Sequence, residues 1–171
     1  MSTIYYRSFI NYMKFEYLKK FLSFYLKING CLFLAFLFSC KNEQKIYQSE
    51  CDTALTFKRI GFTQLIDSIQ KYDQHYIEVD GKYEEGKEQS ALVNDSLFVD
   101  HSNRRSLWVN FSQDCPLYLL GTHKGLFEYN DGKFTQISNR KITIRGKVDL
   151  KHKGHLGSYR ATIDRVSFVK L

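Results

Sequence analysis

Lys141-Ile142-Thr143-Ile144-Arg145-Gly146-Lys147-Val148-Asp149-Leu150 decides the fold class. Ile142, Ile144, Val148 and Leu150 alternate with Lys141, Thr143, Arg145, Lys147 and Asp149. That two-residue period is the mark of a strand with one face buried and the other in water. A glycine at 146 allows the strand to bend. The same alternation recurs upstream. In His75-Tyr76-Ile77-Glu78-Val79-Asp80-Gly81-Lys82-Tyr83, the residues Ile77, Val79 and Tyr83 share one face, and Gly81 marks a bend or bulge. Residues 87–93 read as a weaker strand, and Ser106 to Phe111 alternate with Leu107, Val109 and Phe111 inward. Between Gly125 and Ile137, Asn130-Asp131-Gly132 predicts a hairpin. In the last strand, Tyr159 to Val169, Ala161 and Ile163 share a face, and Val166 and Phe168 then take the opposite parity. A bulge at Asp164-Arg165 accounts for the change.

Before these strands the period is helical. Phe62, Leu65, Ile66 and Ile69 predict one short amphipathic helix over 62–72, with Thr63 as its N-cap. Five or six short strands, one helix and glycines at the bends predict a mainly β fold, a small OB-fold-like β-barrel at residues 61–171. A small β-sandwich is the alternative. Residues 40–60 are polar and aperiodic and read as a tether.

Residues 1–39 form a signal segment. Met13 offers a second start, followed by a basic stretch and an apolar run that ends at Cys40. Leu37-Phe38-Ser39-Cys40 resembles the lipobox of bacterial lipoproteins: an aliphatic residue, a tolerant position, a small residue at the cleaved bond, and a thiol to accept the lipid. The resemblance implies a lipoprotein whose Cys40 carries fatty-acyl (palmitate-type) chains, enough of them for stable membrane attachment. Lys41 rather than Asp after the cysteine implies the outer membrane of the bacterial cell envelope, not the inner. An uncleaved anchor helix over 21–39 is the competing reading.

The segment also changes the charge balance. The 171-residue chain has a formal charge of +7, yet residues 1–39 hold five basic groups and one acidic, leaving 20 against 17 and a net of +3. Near-neutrality argues against nucleic acid as the partner. The remaining cations cluster: residues 139–171 hold nine Lys/Arg against Asp149 and Asp164. A solvated face explains such a cluster, and so does contact with an anionic glycan or an envelope protein.

Several further stretches carry a resemblance at the level of the domain. Ile144-Arg145-Gly146-Lys147-Val148-Asp149 leads into His152-Lys153-Gly154-His155-Leu156-Gly157, with Tyr76 to Gly81, Glu88-Gln89-Ser90-Ala91-Leu92 and Leu107-Trp108-Val109-Asn110-Phe111 before them. Together they resemble small Bacteroidetes-type envelope lipoproteins with an OB-like barrel and a Gly-His-Leu-Gly turn. The resemblance implies a fold and carries no activity.

The candidate ligand face combines Trp108, Arg145, Lys147, Lys153, His155, Tyr159 and Arg160, cations with stacking aromatics. His152 and His155 are candidate metal ligands, with Asp149 or His123 completing a shell, and they centre an alternative reading as a metal-binding protein or metal-dependent enzyme. The bland reading has His155 fixing the turn and His152 in solvent. Glu84, Glu85 and Glu88 could serve acid–base chemistry but read as a solvated turn. No cofactor is implied, and no catalytic residue is assigned. Cys51 and Cys115 are the cysteines left in the folded part, either joined in a disulfide or both free.

Overall fold

A computed structural model describes residues 44–51, 54–96, 100 and 102–171. Residues 1–39, expected to be a signal segment, and Cys40, the expected lipidation site, lie outside the described residues. The described strands are β1 (Ile46–Gln48), β2 (Lys58–Ile60), β3 (Tyr76–Gly86), β4 (Gln89–Val93), β5 (Leu107–Val109), β6 (Tyr118–Leu119), β7 (Arg140–Asp149) and β8 (Ala161–Lys170), and α1 spans Phe62–Asp67.

Five of the strands close into a barrel. β3 pairs with β4, β4 with β5, β5 with β8, β8 with β7, and β7 returns to β3. Only the β5–β8 contact in this ring is parallel. Counting barrel strands alone, the spatial order is 1-2-3-5-4-1, the Greek-key arrangement of an OB-like barrel. The interior holds Ile77, Val79, Tyr83, Leu92, Leu107, Ile142, Ile144, Val148, Ala161 and Ile163, all buried. Gly81 and Gly146 occupy inward positions in the same rows. A Cβ on Gly81 would stand 2.7 Å from Leu92 Cγ, and one on Gly146 would stand 2.6 Å from Ile163 Cγ2. The barrel is too narrow at both points for any side chain, so these glycines set its diameter.

The stretch expected to be a tether contributes two strands. β1 pairs antiparallel with the end of β8, and β2 runs parallel to the start of β3. Three residues each are too few to show a period, and they are held by backbone pairing together with one buried core residue apiece, Tyr47 in β1 and Ile60 in β2. The helix is also shorter than its pattern suggests. α1 stops at Asp67, Ser68 leaves the helical region (φ −121°), and a 3₁₀ turn follows over Ile69–Tyr72. Leu65, Ile66, Ile69 and Tyr72 are still all buried, so packing rather than helix propensity holds the segment. Gly61, not Thr63, occupies the N-cap, while the Thr63 hydroxyl accepts a bond from Asn94 Nδ2 at 3.2 Å.

Two expected strand features are corrected. Around Asn130-Asp131-Gly132 the turn forms, with Asp131 and Gly132 at φ 52° and 81°, but only the bridge Asn130–Lys133 flanks it. Leu126 and Ile137 turn into the core and pull the flanks apart, so residues 120–139 make an irregular lobe. In β8 the bulge lies at Arg165, φ 49°, as the parity change suggested, but Phe168 does not face inward. Lys147 pairs with Asp164 and Arg145 with Phe168, so β8 spends two more residues than β7 across the bulge. An even excess restores the original parity, which puts Val169 in the core and Phe168 outside.

Candidate functional site

The seven residues expected to share a ligand face fall into two groups. Trp108, Lys153, His155, Tyr159 and Arg160 belong to the loop that joins β7 to β8 and the surface beneath it. Arg145 and Lys147 lie on the outer face of β7, beside β3.

The first group is built on the exterior of β4 and β5. Trp108 points outward between Ala91 on β4 and Thr162 on β8. The β7–β8 loop folds across it. Gly154 sits so close that a Cβ there would stand 2.6 Å from Trp108 Cγ. The Tyr159 ring meets the Trp108 ring edge-on at 5.2 Å, and Tyr159 is buried with Ala91 and Val93 in a small second core. Burial, followed by the charge of Glu84, raises the Tyr159 phenol above its ordinary pKa of 10.0. Backbone bonds from Tyr159 N–H to Lys153 O (3.1 Å) and from Arg160 N–H to Ser106 O (3.0 Å) close the loop. At its far side His155 Nε2 lies 3.3 Å from Glu88 Oε2, linking the loop to the β3–β4 turn. Trp108 and Tyr159 are therefore bound to each other and are not a free stacking platform.

What the loop does expose is Leu156, at 89 % of its surface. Its backbone is left-handed (φ 52°, ψ 18°), a conformation a leucine adopts at a cost of roughly 1–2 kcal/mol. The exposed residues Lys151, His152, Lys153 and Arg160 surround it in sequence.

In the second group Arg145 is neutralised within the sheet. Arg145 Nε donates to Glu78 Oε2 at 2.7 Å, and its guanidinium lies 4.3 Å from the centre of the Phe168 ring and 5.6 Å from that of Phe57. Arg59 donates to both Glu78 (3.2 Å) and Asp80 (2.8 Å). Burial works to raise the Asp80 carboxyl, but the Thr143 hydroxyl at 2.6 Å and the Arg59 charge outweigh it and hold the group below 3.8. Lys147 stands opposite Asp164 on β8.

The two candidate metal ligands face separate carboxylates. His152 Nδ1 bonds Asp149, and His155 reaches Glu88. Burial acts to raise Asp149, yet the bonds from the His152 ring and the backbone N–H groups of Lys151 and His152 bring it below 3.8. The same contact raises His152 above 6.5. His123 belongs to the turn that follows β6 and lines the groove beside Leu120 and Cys51. Among the described residues no group of three or more His, Cys, Asp or Glu is placed to hold a metal ion.

Cys51 and Cys115 are joined in a disulfide, with Cα atoms 5.7 Å apart. The bond ties β1 to the lobe after β5 and borders a groove of 570 Å³ that runs from Gln48 to His123 past Pro116 and Leu120. The sequence reading missed the exposed aromatics of this lobe. Phe127, Tyr129 and Phe134 are each half or more exposed, and they were assigned to a hairpin. Compared with known proteins, the chain has no significant match to a protein-family model, a curated protein or a solved structure.

Proposed function

We propose that the protein is a non-catalytic interaction module of the bacterial cell envelope, held at the outer membrane by lipid on Cys40, and that it engages an envelope protein through the β7–β8 loop. The supporting observation is Leu156. A bulky apolar side chain held almost fully in water, in a backbone conformation that costs free energy, gains nothing for the barrel that carries it. The loop beneath it is fastened at Gly154, His155 and Tyr159, so Leu156 is presented on a fixed platform rather than on a free tip. The flanking cations favour an acidic rim around an apolar pocket on the partner. The faces first considered for ligand binding are occupied by the protein itself: Trp108 lies under the loop, and Arg145 is paired with Glu78. The separate carboxylate partners of His152 and His155 give no support to the metal-centred alternative. The resemblance to Bacteroidetes-type envelope lipoproteins fits the same reading.

A photoreactive residue placed at 156 in cells tests it. A discrete protein adduct is expected at 156 and not at the exposed position Lys71. Leu156→Ser should weaken the interaction roughly tenfold or more, the worth of one buried leucine. Equal labelling at both positions, or an adduct only to glycan, would refute the protein-partner reading.

A further inference from the structure

A second apolar surface lies where the described chain comes into the barrel. Lys45 and Ile46 run between the last residue and the turn after β6: Leu171 N–H donates to Lys45 O at 2.9 Å, and Leu120 N–H donates to Ile46 O at 2.8 Å. The neighbouring residue Tyr47 fastens the irregular lobe to this end through its hydroxyl, 3.0 Å from Thr135 Oγ1. The Asn130–Lys133 turn is also here. Asp131 is held below 3.8 first by its bond to Lys124, and Lys133 and Lys45 are near enough to add to the effect.

Four large apolar side chains face outward from this lobe. Leu120 is 63 % exposed, Phe127 50 %, Tyr129 66 % and Phe134 56 %. Tyr129 and Phe134 meet edge-on at 5.2 Å, and Phe127 leans at 4.9 Å on Phe111, which packs against the core. Cations lie close by: Lys124 is paired with Asp131, and Lys133 and Lys45 lie close enough to Asp131 to act on its carboxylate. Aromatic rings beside lysines suit a membrane–water interface, where each ring sits at headgroup depth and each lysine reaches an anionic phosphate.

Chain length places this end near a bilayer. Cys40 precedes Ile46 by six residues, a reach of about 20 Å at most. We propose that this end of the barrel, with the apolar residues Leu120, Phe127, Tyr129 and Phe134 and the cations Lys45, Lys124 and Lys133, rests on the lipid bilayer to which Cys40 is attached. The inference builds on the lipid-anchor reading and adds a docked orientation to it. A single tether would let the barrel tumble; a second, weak contact beside the tether becomes intramolecular and sets which face looks away from the membrane.

The chain contains one tryptophan, which supplies the probe and its control. Trp108 lies on β5 against the start of β8, whereas the proposed contact lies at the end of β8, about seven residues or roughly 20 Å along that strand. The full, processed protein is reconstituted in vesicles of phosphatidylethanolamine and phosphatidylglycerol, with or without brominated acyl chains. In the wild type, Trp108 emission should be insensitive to bromine. In Trp108→Phe/Phe134→Trp the emission should shift to the blue and be quenched by the brominated lipid. Tyr129→Trp in the same background is a second probe should the first variant fold poorly. Unquenched emission at both positions would overturn the proposal, as would a blue shift that depends on protein concentration and not on bromine, which would mark a second copy on this surface. The mass of the N-terminal peptide separates the two claims: a diacylated Cys40 with an unquenched probe refutes the docking alone, and an unmodified Cys40 with a quenched probe refutes the anchor alone.

Discussion

Gly154→Ala tests whether the β7–β8 loop is a separate layer laid over the barrel. Gly154 has φ 66° and ψ −155°, a region essentially reserved for glycine, where another residue costs about 1–3 kcal/mol. The added Cβ would also stand 2.6 Å from Trp108 Cγ and 2.7 Å from Trp108 Cβ. Trp108 cannot retreat, because its backbone is paired on both sides, with Ala91 and Thr162. Overpacking of this kind costs a further ~1–3 kcal/mol. Against this stand the contacts that hold the loop down. The Trp108–Tyr159 ring pair contributes about 0.5–1.5 kcal/mol, the partly exposed His155–Glu88 pair about 1 kcal/mol or less, and the burial of Tyr159 up to roughly 3 kcal/mol. The strain, about 2–6 kcal/mol in sum, is of the same size as the attachment, so the loop should lift rather than the barrel deform. The loss of stability then saturates at what the loop contributed, about 2–5 kcal/mol. Released, Trp108 meets water and its emission moves to the red, and no second tryptophan obscures the signal. Urea titration of Gly154→Ala, Tyr159→Ala and the double variant completes the test. The double variant should be little worse than the poorer single one, since a loop already lifted cannot be lifted again. Fully additive losses, or unchanged Trp108 emission in Gly154→Ala, would show the loop to be an integral part of the barrel and refute the layered reading.

Cys115→Ser should lower stability by about 2–4 kcal/mol, since the Cys51–Cys115 bond spans 64 residues of sequence; wild-type urea curves that are identical with and without reductant would contradict this. The His152 imidazole should titrate above 6.5 by NMR, and Asp149→Asn should return it toward that value; an unmoved midpoint would deny the contact. The signs of the two shifts bound the window. The His152 contribution to stability is complete below 6.5 and is lost as pH rises through its raised folded value, while the Asp149 contribution is present above 3.8 and is lost as pH falls through its lowered one. The pair therefore acts in the mildly acidic range between those limits.

Much of the barrel was legible because its strands have one wet face. β7 shows its alternation over ten residues, and the structure keeps Ile142, Ile144 and Val148 inward. The order of the strands was not legible in any one of them. β8 touches β5, β7 and β1, and β3 touches β2, β4 and β7, partnerships that depend on the curvature allowed at Gly81 and Gly146. Where the reading went wrong, a local period met a longer-range demand. Phe168 alternates correctly on paper, but a two-residue excess at the bulge returns Val169 to the core in its place. Asn130-Asp131-Gly132 makes its turn, yet the burial of Leu126 and Ile137 denies it a hairpin.

The partners of the candidate site residues were hidden in the sequence for a related reason. A count of cations shows charge, not its partners. Arg145 looked available because the residue that binds it, Glu78, is 67 positions away and comes alongside only when β3 and β7 pair. Trp108 and Tyr159 looked like a stacking surface because both are aromatic and fall outside the core rows; that same placement lets each cover the other once the loop crosses β5. Residues that carry obvious recognition chemistry tend to be satisfied intramolecularly when the fold brings partners near, and those left exposed are the ones the fold could not use. Among the described residues the most exposed of these are Leu156 on one surface and the Leu120–Phe134 lobe on another. The first sits on a fastened loop among cations, and the second sits beside the incoming chain among lysines. Two exposed apolar surfaces on one small barrel have different demands if one meets lipid and the other meets protein. A bilayer accepts any apolar shape and tolerates an irregular lobe, whereas a protein pocket selects a single side chain held at a fixed angle, which is what a left-handed leucine on a clamped turn provides.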